Sequence, residues 1–548
     1  MTASLYELLT AFDAHGLQDA ARGWKSLAKA VDGLDTRHRT QVNGPLRQHW
    51  TGGDASAAFA YLERTEQQLD IVRVEAEAVA LTLNTVAERM QQAKTDLTGA
   101  VHEAQAAGLT VAVDGTVQLP AQTWDDRHDQ DAQDARRALA YTRSACQGKV
   151  DAALKAAQQA SDQGRTALGR LGADILSPTR GAGGVAETKL DAASVMGDLG
   201  LAGGVVPDGQ DPKKTAEWWK GLTPDQQETY LALRPAELGR LDGLPSSVRD
   251  KANRLVLDQK LDMLQAATPG ESGLDAETYQ KRRVALESIK QKLDEADGND
   301  EMHQMFLLGI DSDASDGRAI VSRGNPDKAL HTAIFVPGTS TDLNSVPGQM
   351  DHVTRLQKAA EDALTNPGGK VAVISWLGYD APEWSTGSPL LTSRGKDAAP
   401  DLRLFGQGVR VAQTDNVCSH LTVIGHSYGS YAVGVAAREG GGLPVDDIVA
   451  LGSPGMGVSN ASELGIDPKH VWIGEAKQDF TRLVGGVPFG PSPHMDGFGG
   501  NNIKVDTTGH GHYWDDQSAS LKNQGRVIVG VPPETVPKDN FVEGTWYW

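Results

Sequence analysis

Between Leu69 and Leu97 apolar residues recur in alternating steps of three and four: Leu69, Val72, Ala76, Val79, Leu83, Val86, Met90, Ala93 and Leu97. That spacing lays one apolar stripe along a long helix, which needs a helical partner to cover it. The stretch around residues 17–48 supplies the partner, because Trp50-Thr51-Gly52-Gly53-Asp54 breaks the chain after it and Asp54 or Ser56 can cap the next helix. Alternation around an Asp-Gly turn between Leu109 and Pro120 predicts a small β-hairpin near 109–119, with helix resuming from about Asp125 to Leu171. Residues 1–175 are therefore expected to form an all-α helical-hairpin or bundle domain.

Residues 176–214 are rich in glycine and small side chains, the composition of a linker. Trp218-Trp219 then opens a helical lead-in over 215–300. From residue 305 the period changes. Short apolar runs bounded by Gly and Pro recur at Met305–Ile310, Arg318–Arg323, Thr332–Val336, Val371–Trp376, Leu421–Ile424, Ile448–Leu451, Val471–Ile473 and Asn502–Val505. With helical stretches between several of them, these runs predict an α/β domain over 301–535 and a tail at 536–548. Its core would be a mostly parallel sheet of about eight strands with helices on both faces.

Charge removes partners rather than naming them. The 548 residues carry 52 Lys+Arg and 72 Asp+Glu, a net −20. The excess is spread: residues 311–548 hold 18 basic and 27 acidic side chains, −9, which leaves −11 for the rest. A diffuse acidic surface repels nucleic acid and anionic lipid headgroups. Aromatic residues are more telling, since 17 of the 30 lie after residue 310. Cys146 and Cys418 fall in different predicted domains, which argues against a disulfide framework. The N-terminus has no basic, apolar leader of the Sec type, and no run reaches the roughly 18 apolar residues of a transmembrane helix.

Gly425-His426-Ser427-Tyr428-Gly429 is the one G-x-S-x-G in the chain, and its setting gives it meaning. Leu421–Ile424 before it reads as a buried strand and Tyr431–Arg438 after it as a helix, so Ser427 sits on a sharp strand-to-helix turn. A serine hydroxyl needs a base, and the base an orienting acid, in the chain order serine, acid, histidine. Asp479 follows the run Val471–Ile473, with Glu475 as its rival; His510 follows the last strand, with His512 as its rival. The oxyanion donors would be the Tyr428 amide and that of Gly338 or Thr339, in the loop after Phe335-Val336-Pro337, since Pro337 has no N–H. His426, His470 and His494 read as packing or loop residues. Asp311–Gly317 starts like a calcium loop, but Asp316 takes the place of its obligatory Gly, and His510-x-His512 lacks helical ligand spacing; neither a metal nor a cofactor is expected.

Residues 215–530 resemble an actinobacterial α/β-hydrolase family first catalogued as a domain of unknown function. The matching segments are Trp218-Trp219, Leu241–Pro245 with Arg249–Arg254, Val336–Thr339, Trp376–Pro382, the serine pentapeptide, Gly452–Gly455, and Gly509-His510 followed by Tyr513. The resemblance implies an esterase, lipase or peptidase, and its Gly-His pair maps onto Gly509-His510. It departs from the family after Asp479, where Phe480 stands in place of a frequent proline. Helices joined through Trp50-Thr51-Gly52 resemble the Trp-x-Gly hairpins of type VII secretion, which implies a helical partner protein for the arm or export by that route, with the cytoplasm as the other location. The Tyr-x-x-x-Asp/Glu export signal is missing from the helical part; Tyr379–Glu383 fits the letters, but Pro382 prevents a helix there. Together these features predict a serine hydrolase acting on a small-molecule or lipid ester, with a peptidase or amidase on the same residues as the alternative.

Overall fold

The computed structural model describes residues 3–50, 52–122, 130–171, 194–195, 197–199, 206–266, 269, 274–314, 316–366, 368–383, 392–413, 419–481, 488–495 and 497–537. Cys418 and the residues around Asp125 lie outside them. Contacts divide the chain into two units, residues 1–36 with 63–205 and residues 37–62 with 206–548.

In the first unit Ser4 and Glu7 cap each other's backbone amides and start α1 (Leu5–Ala11). α2 (His15–His38) follows and α4 runs from Gly53 to Ala106; the π turn, α3 (Gly44–His49), the Trp50 break and the first turns of α4, all within residues 37–62, are counted with the second unit. β1 (Thr110–Val111) and β2 (Val117–Gln118) pair antiparallel, and α5 spans Gln130–Leu171. Small residues let α4 and α5 approach closely: Ala93, Leu97, Ala100 and Ala104 meet Cys146, Val150, Ala153 and Ala157 in one core. A Cβ at Gly164 would lie 2.4 Å from Val86 Cγ2. The α4 stripe is buried or half-buried throughout, yet between Ile71 and Ala80 burial extends to nearly every face. Charges enclosed there are paired, Arg73 with Asp70 at 2.6 Å and Lys25 with Glu77 at 2.7 Å, as burial of an ion requires.

The second unit opens with α6 (Pro212–Gly221), capped by Asp211, then α7 (Pro224–Leu233), α8 (Pro235–Leu238), α9 (Ser246–Ala266) and α10 (Ala276–Ala296). Next come β3 (Met305–Asp311), β4 (Arg318–Arg323), β5 (His331–Val336), α11 (Val346–Ala363), β6 (Val371–Leu377), α12 (Ser393–Ala412), β7 (His420–His426), α13 (Tyr428–Arg438), β8 (Asp447–Leu451), β9 (Val471–Gly474), β10 (Asn501–Asn502) and α14 (Ala519–Ile528). The strands form one eight-stranded sheet in the order β10-β9-β8-β7-β5-β6-β4-β3. Only β4 runs against the rest, since the short connection from Asp311 to Arg318 allows a hairpin and no crossover. β6 is buried at all seven positions, β8 at all five, and this continuous apolar core is what covering helices on both faces demand.

Two expectations are corrected. The last strand is Asn501–Asn502 rather than Asn502–Val505, because after its parallel pairing with β9 the chain turns aside and Ile503 forms an antiparallel bridge with Thr535. The mixed composition of residues 383–405 predicts a loop, yet from Ser393 onward they are the buried helix α12, whose Leu402, Phe405 and Val409 enter the main core. Its interior Pro400 and three glycines hide the helical period from propensity. Among the described residues no helix is long and apolar enough to cross a membrane.

Candidate active site

β5 pairs with both β6 and β7, and the chain leaves β5 toward β6 on one side but leaves the neighbouring β7 toward β8 on the other. Open α/β sheets form their crevice at such a switch, beyond the carboxyl ends of the strands. Two loops meet there, Pro337-Gly338-Thr339 after β5 and Ser427 after β7. The elbow is tight. A Cβ on Gly425 would stand 2.5 Å from Ser430 Cα, and one on Gly429 would stand 2.2 Å from the Val336 carbonyl oxygen. Ser427 N–H donates to the Leu451 carbonyl at 2.9 Å, tying the turn to β8.

Ser427 is 3 % exposed and holds φ 53° and ψ −129°, a conformation that L residues avoid. Such strain costs on the order of 1–3 kcal/mol. Its hydroxyl does not cap α13, so nothing in the helix explains the conformation. Ser427→Gly is expected to stabilise the fold by about 1 kcal/mol, after allowance for the freer unfolded chain of glycine. Ser427→Ala keeps the Cβ and with it the strain. Urea midpoints check this, and a glycine variant no more stable than the alanine variant would show that the turn is unstrained.

The acid and the histidine are brought together by backbone pairing. Lys477 and Thr508 form a parallel bridge, Lys477 N–H donates to Thr507 O and Gly509 N–H to Lys477 O. Gln478, at φ 58°, turns the chain so that Asp479 faces inward. His510 Nδ1 then lies 2.9 Å from each Asp479 carboxylate oxygen. Asp479 also accepts from the Tyr513 hydroxyl at 2.7 Å, the Thr481 amide at 2.9 Å and the Thr481 hydroxyl at 2.7 Å. Burial alone would raise this carboxyl, but the bonds from His510, Tyr513 and Thr481 together outweigh it and hold it well below the usual aspartate range. Asp479 is therefore a carboxylate at neutral pH and can only accept, so the bond to it is donated by His510 Nδ1–H.

His426 backs this pair. Its ring packs 4.6 Å from that of His510 and 4.9 Å from Trp514, and its Nε2 lies 2.9 Å from the His510 carbonyl. A carbonyl only accepts, so Nε2 is the donor. Desolvation, with the nearby His510, pushes His426 down to about 3 and keeps it neutral. On the other side of His510 the Phe480 ring lies at 4.5 Å. Gly338 borders the elbow: a Cβ there would be 2.7 Å from Ser427 Cβ and 3.2 Å from Ser427 Oγ.

The rivals stand elsewhere. Glu475 is half-buried, with its enclosed carboxylate 3.9 Å from His494, whose Nδ1 meets Ser492 Oγ at 2.6 Å. His512 turns outward to Asp515 at 3.1 Å. His470 is at the opposite end of the sheet, 3.0 Å from Asp447. Two contributors were not assigned from sequence, Thr481 and Tyr513 as donors to Asp479; His426, expected as a packing residue, packs against His510. The Asp-x-Thr spacing, which favours a local side-chain to backbone bond, is the one signal that pointed to Thr481.

Residues 312–488 match the family model described as alpha/beta hydrolase. The uncharacterized protein Rv2079 of Mycobacterium tuberculosis strain H37Rv is 28 % identical over 381 residues, covering 60 % of this chain and 57 % of the relative. The uncharacterized protein Rv0963c of the same strain is 36 % identical over 182 residues, covering 31 % of this chain and 64 % of the relative, and Mb0988c of Mycobacterium bovis matches to the same extent. The matched region thus spans less than two thirds of the length of each of these relatives. Together with the mostly parallel eight-stranded sheet and its covering helices, the match identifies residues 312–488 as part of an α/β-hydrolase domain.

Proposed function

We propose that the chain is a serine hydrolase of carboxylic esters, with Ser427 as nucleophile, His510 as general base and acid, and Asp479 as the group that orients His510. The observation that carries this is the Asp479 carboxylate closed on His510 Nδ1 beside a serine elbow with φ above zero. In the first half-reaction Ser427 Oγ attacks the ester carbonyl carbon while His510 Nε2 takes its proton. The oxyanion is held by the amides of Tyr428 and of Gly338 or Thr339; it collapses, the alkoxide leaves with the proton from His510, and an acyl-serine remains. Water then attacks the acyl carbon, His510 again taking and returning the proton. Esters are the proposed class because an alkoxide leaving group asks less of the general acid than an amide nitrogen does.

The test is to label the full chain with a fluorophosphonate and map the adduct, following hydrolysis of p-nitrophenyl acyl esters in parallel. The adduct is expected on Ser427, with turnover falling in proportion to labelling. An adduct elsewhere, or turnover that survives full labelling, would sink the proposal. Faster cleavage of a matched anilide than of its ester would move the chain to the amidases.

A further inference from the structure

The segment Trp376-Leu377-Gly378-Tyr379-Asp380-Ala381-Pro382 carries the chain out of the sheet. It leaves the end of β6 beside the loop that follows β5, and Tyr379 is 3 % exposed. The Tyr379 hydroxyl donates to the Pro337 carbonyl at 2.7 Å. A trans peptide is a rigid plane whose C=O and N–H point in opposite directions, so a bond that fixes one end also aims the other. The N–H sharing a plane with Pro337 O is that of Gly338. The next plane is held in the same way: Thr341 Oγ1 donates to the Gly338 carbonyl at 2.8 Å, and that plane carries the Thr339 N–H.

Both amides available to an oxyanion on this side therefore belong to planes whose carbonyls are pinned by a side-chain hydroxyl. The Tyr379 ring cannot easily swing away. It stacks between Trp376, with centroids 6.1 Å apart and planes at 12°, and Tyr428, at 6.4 Å and 13°. Tyr428 supplies the amide on the other side of the proposed oxyanion site, and its own hydroxyl accepts from Gly395 N–H at 3.0 Å. Burial raises the Tyr379 phenol well above its ordinary range, which keeps it a protonated donor at neutral pH.

Resting on the hydrolase reading above, we infer that Tyr379 and Thr341 are positioning residues that aim the Gly338 and Thr339 amides at the developing oxyanion. Neither touches the reacting atoms. A misaimed donor is felt where negative charge develops, in the transition state, and little in the ground state.

The experiment measures kcat and KM for a p-nitrophenyl ester, per site titrated with fluorophosphonate, in Tyr379→Phe, Thr341→Val and Thr341→Ser. It adds the inhibition constant of an alkyl trifluoromethyl ketone, which forms a serine hemiketal bearing an oxyanion. Tyr379→Phe keeps the ring in its stack and loses only the hydroxyl. It is expected to lower kcat about tenfold, with KM within about twofold and ketone affinity weakened about tenfold, less than the 10²–10³ that deletion of a whole donor costs. Thr341→Val should behave likewise and Thr341→Ser should restore activity. If kcat per titrated site stays within twofold of wild type in both Tyr379→Phe and Thr341→Val, or falls without change in ketone affinity, the inference is overturned. A wild-type chain that neither labels nor turns over would instead remove the hydrolase reading. Labelled, active wild type with equally active variants removes the positioning role alone.

Discussion

Replacement of Ser427 by alanine is expected to lower kcat for ester hydrolysis about 10⁶-fold while leaving KM within a few fold, since removing the nucleophile of a serine triad costs on that order. The substitution is structurally mild. Ser427 Oγ makes no bond to the helix that follows, and the retained Cβ keeps the elbow at φ 53°, so the folded state should be as stable as wild type. What remains is the hydrolysis that the oxyanion amides and binding alone can supply, roughly 10³–10⁴ over water in related constellations. Steady-state rates with a p-nitrophenyl ester, together with the urea midpoint, check both halves. Loss of less than about tenfold would exclude an acyl-serine route.

Asp479→Asn is expected to be the next most damaging change, lowering kcat about 10⁴-fold. The carboxylate faces donors on every side: Oδ1 meets the Thr481 amide and hydroxyl, Oδ2 meets the Tyr513 hydroxyl, and His510 Nδ1 lies 2.9 Å from both. An amide must turn its NH₂ toward one of these donors. With NH₂ toward His510, the imidazole is driven to the tautomer with the proton on Nε2, which cannot accept from Ser427. With the oxygen toward His510, the NH₂ opposes Thr481 or Tyr513, and a buried donor clash costs about 1–3 kcal/mol of stability. The pH dependence carries a sign. Because the folded state holds this carboxyl below its unfolded value, its stabilisation is complete above the ordinary aspartate range and is lost as pH falls through the lower, folded value. The stability gap between wild type and Asp479→Asn should therefore narrow as pH falls below about 4. A gap that widens on acidification would mean that Asp479 is not held as the anion.

The sheet was legible because its inner strands are apolar runs that no amphipathic helix tolerates: Val371–Leu377 and Asp447–Leu451 are buried along their whole length. Its last strand was misjudged because Asn501 and Asn502 have little strand propensity and pair only through their neighbour β9. Helix α12 was obscured by Pro400 and its glycines, residues whose cost is offset by tertiary contacts that sequence does not display. For the candidate site the contrast is between local and distant geometry. The elbow needs strand, serine and helix in succession, all visible within a score of residues. The meeting of Asp479 and His510 rests on Lys477 and Thr508 bridging across 31 positions, and nothing in either residue type announces that pairing. Tyr513 and His426 are similar cases, since a buried phenol or imidazole declares its partner only once the chain has folded.

For the proposed mechanism, the strand order also separates the groups that would hold an oxyanion from those that would move a proton. Strands β5 and β7, which carry the Gly338 loop and the serine elbow, lie in the middle of the sheet, whereas Asp479 and His510 follow β9 and β10, the last two strands toward one edge. On the proposed mechanism the middle of the sheet would serve as a fixed template, with the proton-moving pair set toward its edge. Changes in turnover, whether drawn from natural variation or introduced by design, therefore have room at the rim without rebuilding the middle of the molecule.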